Sequence, residues 1–499
     1  MGFDDSVDDA IIADTDMGYI SEGTVQGPPK IEQDKATTFM VLAVACLVSF
    51  DYAPIFLTLW PYMEWLGGNY FLYSCASAMY GLARIPVAPL LSIAADYYTL
   101  RAPLLLCIVA FLMANLLYVS ASSLANTWWA VAFVFVARFL SGVGGSSVPV
   151  VMTYLSVIST PEERVQYFNQ FRISQFLGNT VGPIVATVCL FIPPGMVWVF
   201  WMNAATIPAL LTCSFAFVLL APTAIFFKEP KRDDHKIKLL LIHKSAEFRD
   251  AMCLNVSFLC GLFALSLLSF QLIPIATTVF HIAYLDFRWV WLAYISFFVG
   301  FVISAVLTKL TINKFPGFTD QNFMVYSLLF IALGWFGFIQ WTTYLPIWVY
   351  FVASTLIFMG WGLFMVSHRA VYARVTEPSG FLTSFMALLS IGGSIAMVIA
   401  PLFEAVTLDI VPNYDDEDLL SECQSMGYGE APDCCDAGNG IYCCCKMTGL
   451  TVVAVAAVIV LVGSTIFQLF LVKKLGVGNL PEAELSNDEE GKYILDNVE

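Results

Sequence analysis

Residues 127–150 read TWWAVAFVFVARFLSGVGGSSVPV, an apolar run whose one ionisable side chain is Arg138, followed closely by Gly142, Gly144 and Gly145. A helix needs about 20 apolar residues, rising 1.5 Å each, to cross about 30 Å of hydrocarbon. A charge left in that setting is expensive, so a lone arginine there marks a partner or a task. The stretch reads as a membrane-crossing helix with something to bind.

Comparable runs lie near 37–60, 70–93, 102–120, 168–191 and 198–222, and, past a polar connector, near 251–273, 289–308, 322–340, 346–367, 379–403 and 448–472. The expected fold is an all-α integral membrane protein with twelve transmembrane helices in two pseudo-symmetric six-helix bundles. Its expected parts are a disordered acidic cytoplasmic tail over 1–36, a first bundle over 37–227, and a cytoplasmic linker over 228–250. A second bundle over 251–472 follows, carrying an acidic, Cys-rich luminal loop over 404–447, and then an acidic cytoplasmic tail over 473–499. Composition agrees, since 59% of the 499 residues are hydrophobic and only 12% charged, against roughly 25% charged in soluble proteins. Soluble enzymes and nucleic-acid binders are excluded.

The net charge of −16 belongs to the appendages. Of 39 acidic residues, 26 lie before Ala36, between Glu404 and Met447, or after Val472, with only 6 of the 23 basic ones, so the remainder nets +4. Asp4, Asp5, Asp8 and Asp9 stand where a cleavable signal would be basic and apolar, so none is expected. With the N-terminus in the cytoplasm, the basic residues between spans gather on that face and only Arg288 and Lys446 fall opposite. Both termini are therefore expected to be cytoplasmic.

An internal repeat accompanies the six-plus-six count. Gly142 and Gly144, followed by Gly182-Pro183, are matched by Gly360 and Gly362, followed by Ala400-Pro401, at a constant offset of 218 residues. Repeated halves are a common plan for transporters.

These residues resemble the major facilitator superfamily. The stretch Ser92-Ile93-Ala94-Ala95-Asp96-Tyr97-Tyr98-Thr99-Leu100-Arg101 is similar to its loop signature after the second span. Arg138 with the spaced glycines is similar to its fourth-span signature, and Gly178 through Gly182-Pro183 to its fifth. The chain departs from that pattern at Ser92, at Tyr97, and after the eighth span, where Lys309 and Lys314 have no matching acid. Ala137-Arg138 through Pro183, with Glu163-Arg164, looks most like the lysosomal subgroup containing the ceroid-lipofuscinosis membrane protein and like the membrane part of SPX-type vacuolar phosphate transporters.

Ionisable groups inside spans are the first functional candidates. Asp51, Arg84 and Arg138 all fall in the first half, where Asp51 is expected to pair with one of the arginines and, alternatively, to carry a proton. The resemblance implies a cavity-facing role for Arg138; Arg84 is read as serving the cytoplasmic interface. Gln175 and Asn179, and Gln271 ahead of Pro274, are candidate cavity-lining polar groups. Asp96 and Arg101 are expected to form a cytoplasmic gate. Gly142, Gly144, Gly145, Gly178, Gly182, Gly360 and Gly362 are expected to let helices approach closely, with Pro183 and Pro401 bending theirs. Cys423, Cys434, Cys435, Cys443, Cys444 and Cys445 are disulfide candidates if the loop faces an oxidising compartment, with zinc binding and lipid modification as the alternatives.

Neither a triad nor a metal pattern is found among the four histidines, and no phosphate-cradling glycine loop is present, so neither an enzyme nor an ATP-driven pump is expected and no cofactor or metal is called for. Two arginines against one carboxylate favour an anionic solute. The expected function is a secondary active transporter working by alternating access, with possible proton coupling, in the lysosomal or vacuolar membrane, with the plasma membrane as the alternative. Its expected partners are the lipid bilayer and a small-molecule or ion substrate, and a monomer is favoured. A gated anion channel and a non-transporting membrane sensor are the alternatives.

Overall fold

The computed structural model describes residues 34–125, 127–159, 161–189, 191–192, 195–197, 200–203, 205–230, 246–278, 295–296, 298–304, 306–307, 320–339, 347–376, 382–409 and 440–475. Long helices dominate. The first are α1 (Lys35–Trp65), α2 (Tyr70–Tyr97) and α3 (Arg101–Ala121). Gly67, at φ 85°, makes the sharp exit from α1, a backbone conformation that costs a side-chain-bearing residue energy. Asn69 then caps α2, its Oδ1 accepting from the Leu72 N–H at 2.9 Å, which satisfies one orphan donor of the first turn.

The fourth crossing is broken into α4 (Trp128–Gly145) and α5 (Ser147–Ile158). Pro149 has no N–H for the Gly145 carbonyl and its ring crowds that turn. At the break, Ser146 donates both its N–H and its Oγ to the Gly142 carbonyl, at 3.1 and 3.0 Å. The chain continues as α6 (Pro161–Cys189), α7 (Thr206–Phe226) and α8 (Ala246–Thr278). It closes with α9 (Asp320–Gly337), α10 (Ile347–Thr376), α11 (Leu382–Asp409) and α12 (Gly440–Leu475).

Among the described residues, nine stretches are long and apolar enough to cross a membrane. Helix α6, with its polar start, and the shorter apolar stretch of α9 add to these in the bundles, and 11 of the 20 residues of the expected span at 289–308 are described, all of them helical. The sixth crossing is one correction. Residues 200–202 of that expected span are a strand instead, Phe200–Met202, paired antiparallel with Gly195–Val197, Gly195 to Met202 and Val197 to Phe200. The helix begins only at Thr206, where Asn203 Oδ1 accepts from the Ala205 and Thr206 N–H groups, each at 2.9 Å.

Pairing is matched between halves. Helix α1 packs on α6 as α8 packs on α11, α3 packs on α4 as α9 packs on α10, and α3 packs on α7 as α9 packs on α12. The halves meet chiefly along α2 and α11, with a ring contact between Phe176 and Phe301 at 5.8 Å on another side.

The repeated glycines do not face equivalent partners. Gly142 is backed by the Tyr80 carbonyl of α2 and Gly144 by Phe111 of α3, whereas Gly360 meets Ser327 and Ile331 of α9 and Gly362 meets Ser304. Positions two apart on a helix lie about 200° apart at 3.6 residues per turn, so each glycine of a pair serves a different neighbour. The offset of 218 thus preserves the spacing and exchanges the facing.

At Gly178 an added methyl group would sit 2.8 Å from the Phe50 nitrogen of α1 and against the Cys46 carbonyl. Gly178→Val is expected to destabilise the first bundle by about 1–3 kcal/mol through overpacking. Thermal unfolding of the purified protein in detergent checks this; an unchanged transition would show that α1 and α6 are not held at this distance.

Candidate functional site

Between the halves lies a cavity of about 860 Å³, counted with its open mouth. Its first-half lining includes Tyr52 of α1, Arg84 of α2, Pro149 and Met152 of α5, and Asn179 of α6. From the second half come Phe258 and Ser266 of α8, Trp361 and Arg369 of α10, and Ser390 and Met397 of α11. The wall is mostly apolar, with a few polar groups aimed inward. Such a surface excludes water and fixes orientation through its few polar atoms.

Arg84 and Arg369 are the charges in that lining. Arg84 Nη2 donates to Ser390 Oγ at 3.2 Å and Nη1 faces Met397 Sδ at 3.7 Å, both across the halves. Its Nε is buried with no hydrogen-bond partner among the described residues, and its guanidinium stands 5.6 Å from the Tyr80 ring centre. Arg369 Nη1 donates to Gln175 Oε1 of α6 at 3.2 Å, and its guanidinium lies 5.7 Å from the Phe171 ring centre. The two cations are within electrostatic reach of each other. Neither has a carboxylate partner among the described residues.

Arg369 was missed in the sequence because the apolar window closes at 367, two residues short, while α10 runs on to Thr376. Arg172 of α6 is half-buried and donates to the Met365 carbonyl of α10 at 3.0 Å. Arg84, read as an interface residue, lines the cavity.

Arg138 lies behind this wall. It is 1% exposed, 5.0 Å from the same Tyr80 ring, and does not line the cavity. Asp51, also 1% exposed, forms no direct ion pair with Arg138 or Arg84, contrary to the expected pairing. Its Oδ1 instead accepts from Asn115 Nδ2 at 2.7 Å. Ser141 also faces the carboxyl, and the Arg138 charge acts on it from further off. Asn115 supplies a neutral donor that the sequence does not single out, because an asparagine on an apolar helix looks like any interhelical hydrogen-bonding group.

The expected gate is occupied differently. The Asp96 side chain lies outside the described residues. Arg101 opens α3, and its N–H donates to Glu229 Oε1 at 2.8 Å while the Leu100 N–H donates to Oε2 at 3.1 Å. Glu229 therefore caps α3 from the far end of the first bundle, with its negative charge on the positive end of the helix. Beside it, Lys228 Nζ pairs with Asp34 at 3.7 Å, and the Lys228 N–H donates to Thr37 Oγ1 at 3.2 Å. The Thr37 hydroxyl, and then Lys228, hold the Asp34 carboxyl below the usual carboxylate range.

Among the other candidates, Gln271 lies on α8 with its side chain outside the described residues. Cys443, Cys444 and Cys445 fall on the first turns of α12, again without described side chains, and Cys423, Cys434 and Cys435 lie outside the described residues. Among the described residues no group of His, Cys, Asp and Glu is placed to hold a metal ion. His368 is wholly buried, with Nε2 2.9 Å from the Leu254 carbonyl.

The sequence profile of the Major Facilitator Superfamily matches residues 41–401. Solved structures with the same fold include a bacterial homologue of the human lysosomal transporter Spinster, in an inward-facing, occupied conformation. It is 12% identical at a TM-score of 0.60, over 88% of this chain and 98% of that one. The human organic anion transporter MFSD10 is 14% identical at 0.58, over 89% and 100%. The nucleoside transporter NupG is 14% identical at 0.56, over 86% and 99%.

Glu229→Ala removes both acceptors at the start of α3. The expected cost is about 0.5–2 kcal/mol, as for other helix caps, read as a lowered unfolding midpoint in detergent; a midpoint equal to wild type would mean that water replaces the cap without loss.

Proposed function

The chain belongs to the Major Facilitator Superfamily of membrane transporters, and we propose that it is a secondary transporter carrying a small anionic solute by alternating access. One observation carries the anion assignment. Arg84 from the first half and Arg369 from the second line the same cavity, and neither is neutralised by a carboxylate among the described residues. Two like charges held in a low-dielectric cavity repel one another and are costly to desolvate. A carboxylate, phosphate or sulfate group between them removes both penalties and meets two guanidinium forks suited to planar oxyanions.

The same geometry links binding to motion. Each arginine already holds the opposite half, Arg84 through Ser390 and Arg369 through Gln175. An anion that draws both guanidinium groups inward exchanges these weak cross-links for its own stronger ones. Binding can then bias one arrangement of the halves over another, because only a differential interaction shifts such an equilibrium. Arg138 is the buried support of Tyr80, the ring against which Arg84 also rests. The reading includes proton coupling, which offsets the charge of the anion. One chain encloses the whole cavity, so a monomer suffices. The lysosomal or vacuolar membrane is the proposed compartment, on the subgroup resemblance of the Arg138 to Pro183 region and the likeness to the Spinster homologue.

Purified protein in liposomes, screened by counterflow with inorganic phosphate, sulfate, lactate and succinate, tests this. For the anion that exchanges, Arg369→Gln and Arg84→Gln are each expected to weaken apparent affinity about 10- to 100-fold, since a hydrogen bond to a charged group contributes about 1.5–3 kcal/mol. Arg369→Lys should recover only part of the loss. Unaltered exchange in both glutamine variants would remove the arginines from the site.

A further inference from the structure

Glu404 counts with the acidic loop when the sequence is read alone, yet it lies within α11, ahead of the helix end at Asp409. It is 0% exposed, and among the described residues neither carboxyl oxygen has a hydrogen-bond partner. Among the described residues no Lys, Arg or His forms an ion pair with it. Asp51, also buried, at least accepts from Asn115; among the described residues Glu404 has no donor. An ionised carboxylate stripped of water, cation and donor costs several kcal/mol to keep, far more than the neutral acid. This packing therefore holds Glu404 with its proton on.

Its surroundings point the same way. From α2, Tyr73 is the titratable side chain that feels the Glu404 charge, and the Arg138 charge of α4 acts on that same tyrosine. Among the described residues of the other packed elements, α8 and α12 included, no charged group acts on Glu404. Gln468 of α12 is likewise buried, with both amide ends unpartnered among the described residues.

Its position along the helix supplies the mechanism. Ser390 and Met397 of α11 line the cavity, and Glu404 follows about 21 Å beyond Ser390 at 1.5 Å per residue. The seam between α2 and α11 stands between them. Gly81 is so close there that an added methyl group would lie 2.7 Å from the Ser394 carbonyl and 3.0 Å from Val398. Pro401 has no N–H for the Met397 carbonyl, so α11 has a point of weakness between the residue that touches Arg84 and Glu404. Rocking the halves so that the cavity opens on the other face has to part this seam, and that step brings water to Glu404.

We propose that Glu404 is the proton-coupling site of the second half, protonated while the seam is shut and releasing or exchanging its proton when the seam parts. This rests on the reading of the chain as a coupled anion transporter. A proton on Glu404 and an anion between Arg84 and Arg369 then cross together, which lowers the net charge moved.

Infrared spectroscopy on the full-length protein in lipid bilayers tests the site without any substrate. Wild type is expected to show the C=O stretch of a protonated carboxyl group without hydrogen bonds, a band that Asp51→Asn retains and Glu404→Gln lacks. Its absence from wild type, or its persistence undiminished in Glu404→Gln, overturns the assignment. The glutamine mimics the neutral acid and is expected to fold, and Glu404→Asp should restore a shifted band. In liposomes loaded with a pH-sensitive dye, with inorganic phosphate, sulfate, lactate and succinate as probes, Glu404→Gln should keep anion counterflow and lose proton co-movement by about tenfold or more. Co-movement at the wild-type rate overturns the proposal. A wild type that exchanges none of these probes counts against the transport reading, and the infrared band then decides Glu404 alone.

Discussion

Hydrocarbon solvates neither charges nor unpaired backbone groups, and the structure answers to that constraint throughout. Backbone polarity is absorbed within long helices. Side-chain charge is handled in three distinct ways. Asp51 is given a neutral donor, Asn115. Arg138 is laid against an aromatic ring, where the ring quadrupole attracts a cation. Arg84 and Arg369 are left facing a cavity with neutral partners among the described residues, Ser390, Met397 and Gln175 and the rings of Tyr80 and Phe171. The last arrangement leaves electrostatic free energy for a ligand to recover, and that separates a site from a structural bridge.

The same residues that grip also connect the bundles. Tyr80 is shared by Arg84 and Arg138, so the cavity wall and the buried network behind it are in direct contact within the first half. Across the seam, Gly81 brings α2 against the Ser394 carbonyl. Glycine permits an approach that a side chain would forbid, and close backbone packing replaces the hydrophobic drive that lipid cannot supply between helices. The halves thus meet through small residues and a few weak polar links, an interface suited to sliding and rocking.

Several features were legible in the sequence because each depends on local pattern. An apolar run of sufficient length has few alternatives to a crossing, and the family signatures around Arg138 and Gly182-Pro183 sit in consecutive spans. The ends were less legible. Pro149 breaks the fourth crossing, and the strand pair at 195–197 and 200–202 delays the sixth, because both depend on which hydrogen bonds a particular turn can complete. The site was legible only in part. Arg84, Gln175 and Asn179 stand where the cavity and its cross-links form, but Arg369 looked like a loop residue and Glu404 like part of an acidic appendage, since a hydropathy window cannot tell a helix end from its interior.

By itself the sequence determined that the chain lives in lipid, that it is built from two related halves, and that a few ionisable groups must be accommodated within it. Those follow from transfer energies, which are properties of residue type and run length. Tertiary structure decided which charges keep partners and which face the cavity. Partners come from helices hundreds of residues apart in the chain, as with Arg84 and Ser390 or Arg369 and Gln175, and the rotation of each helix about its axis, set by packing, selects which side chain points at which neighbour.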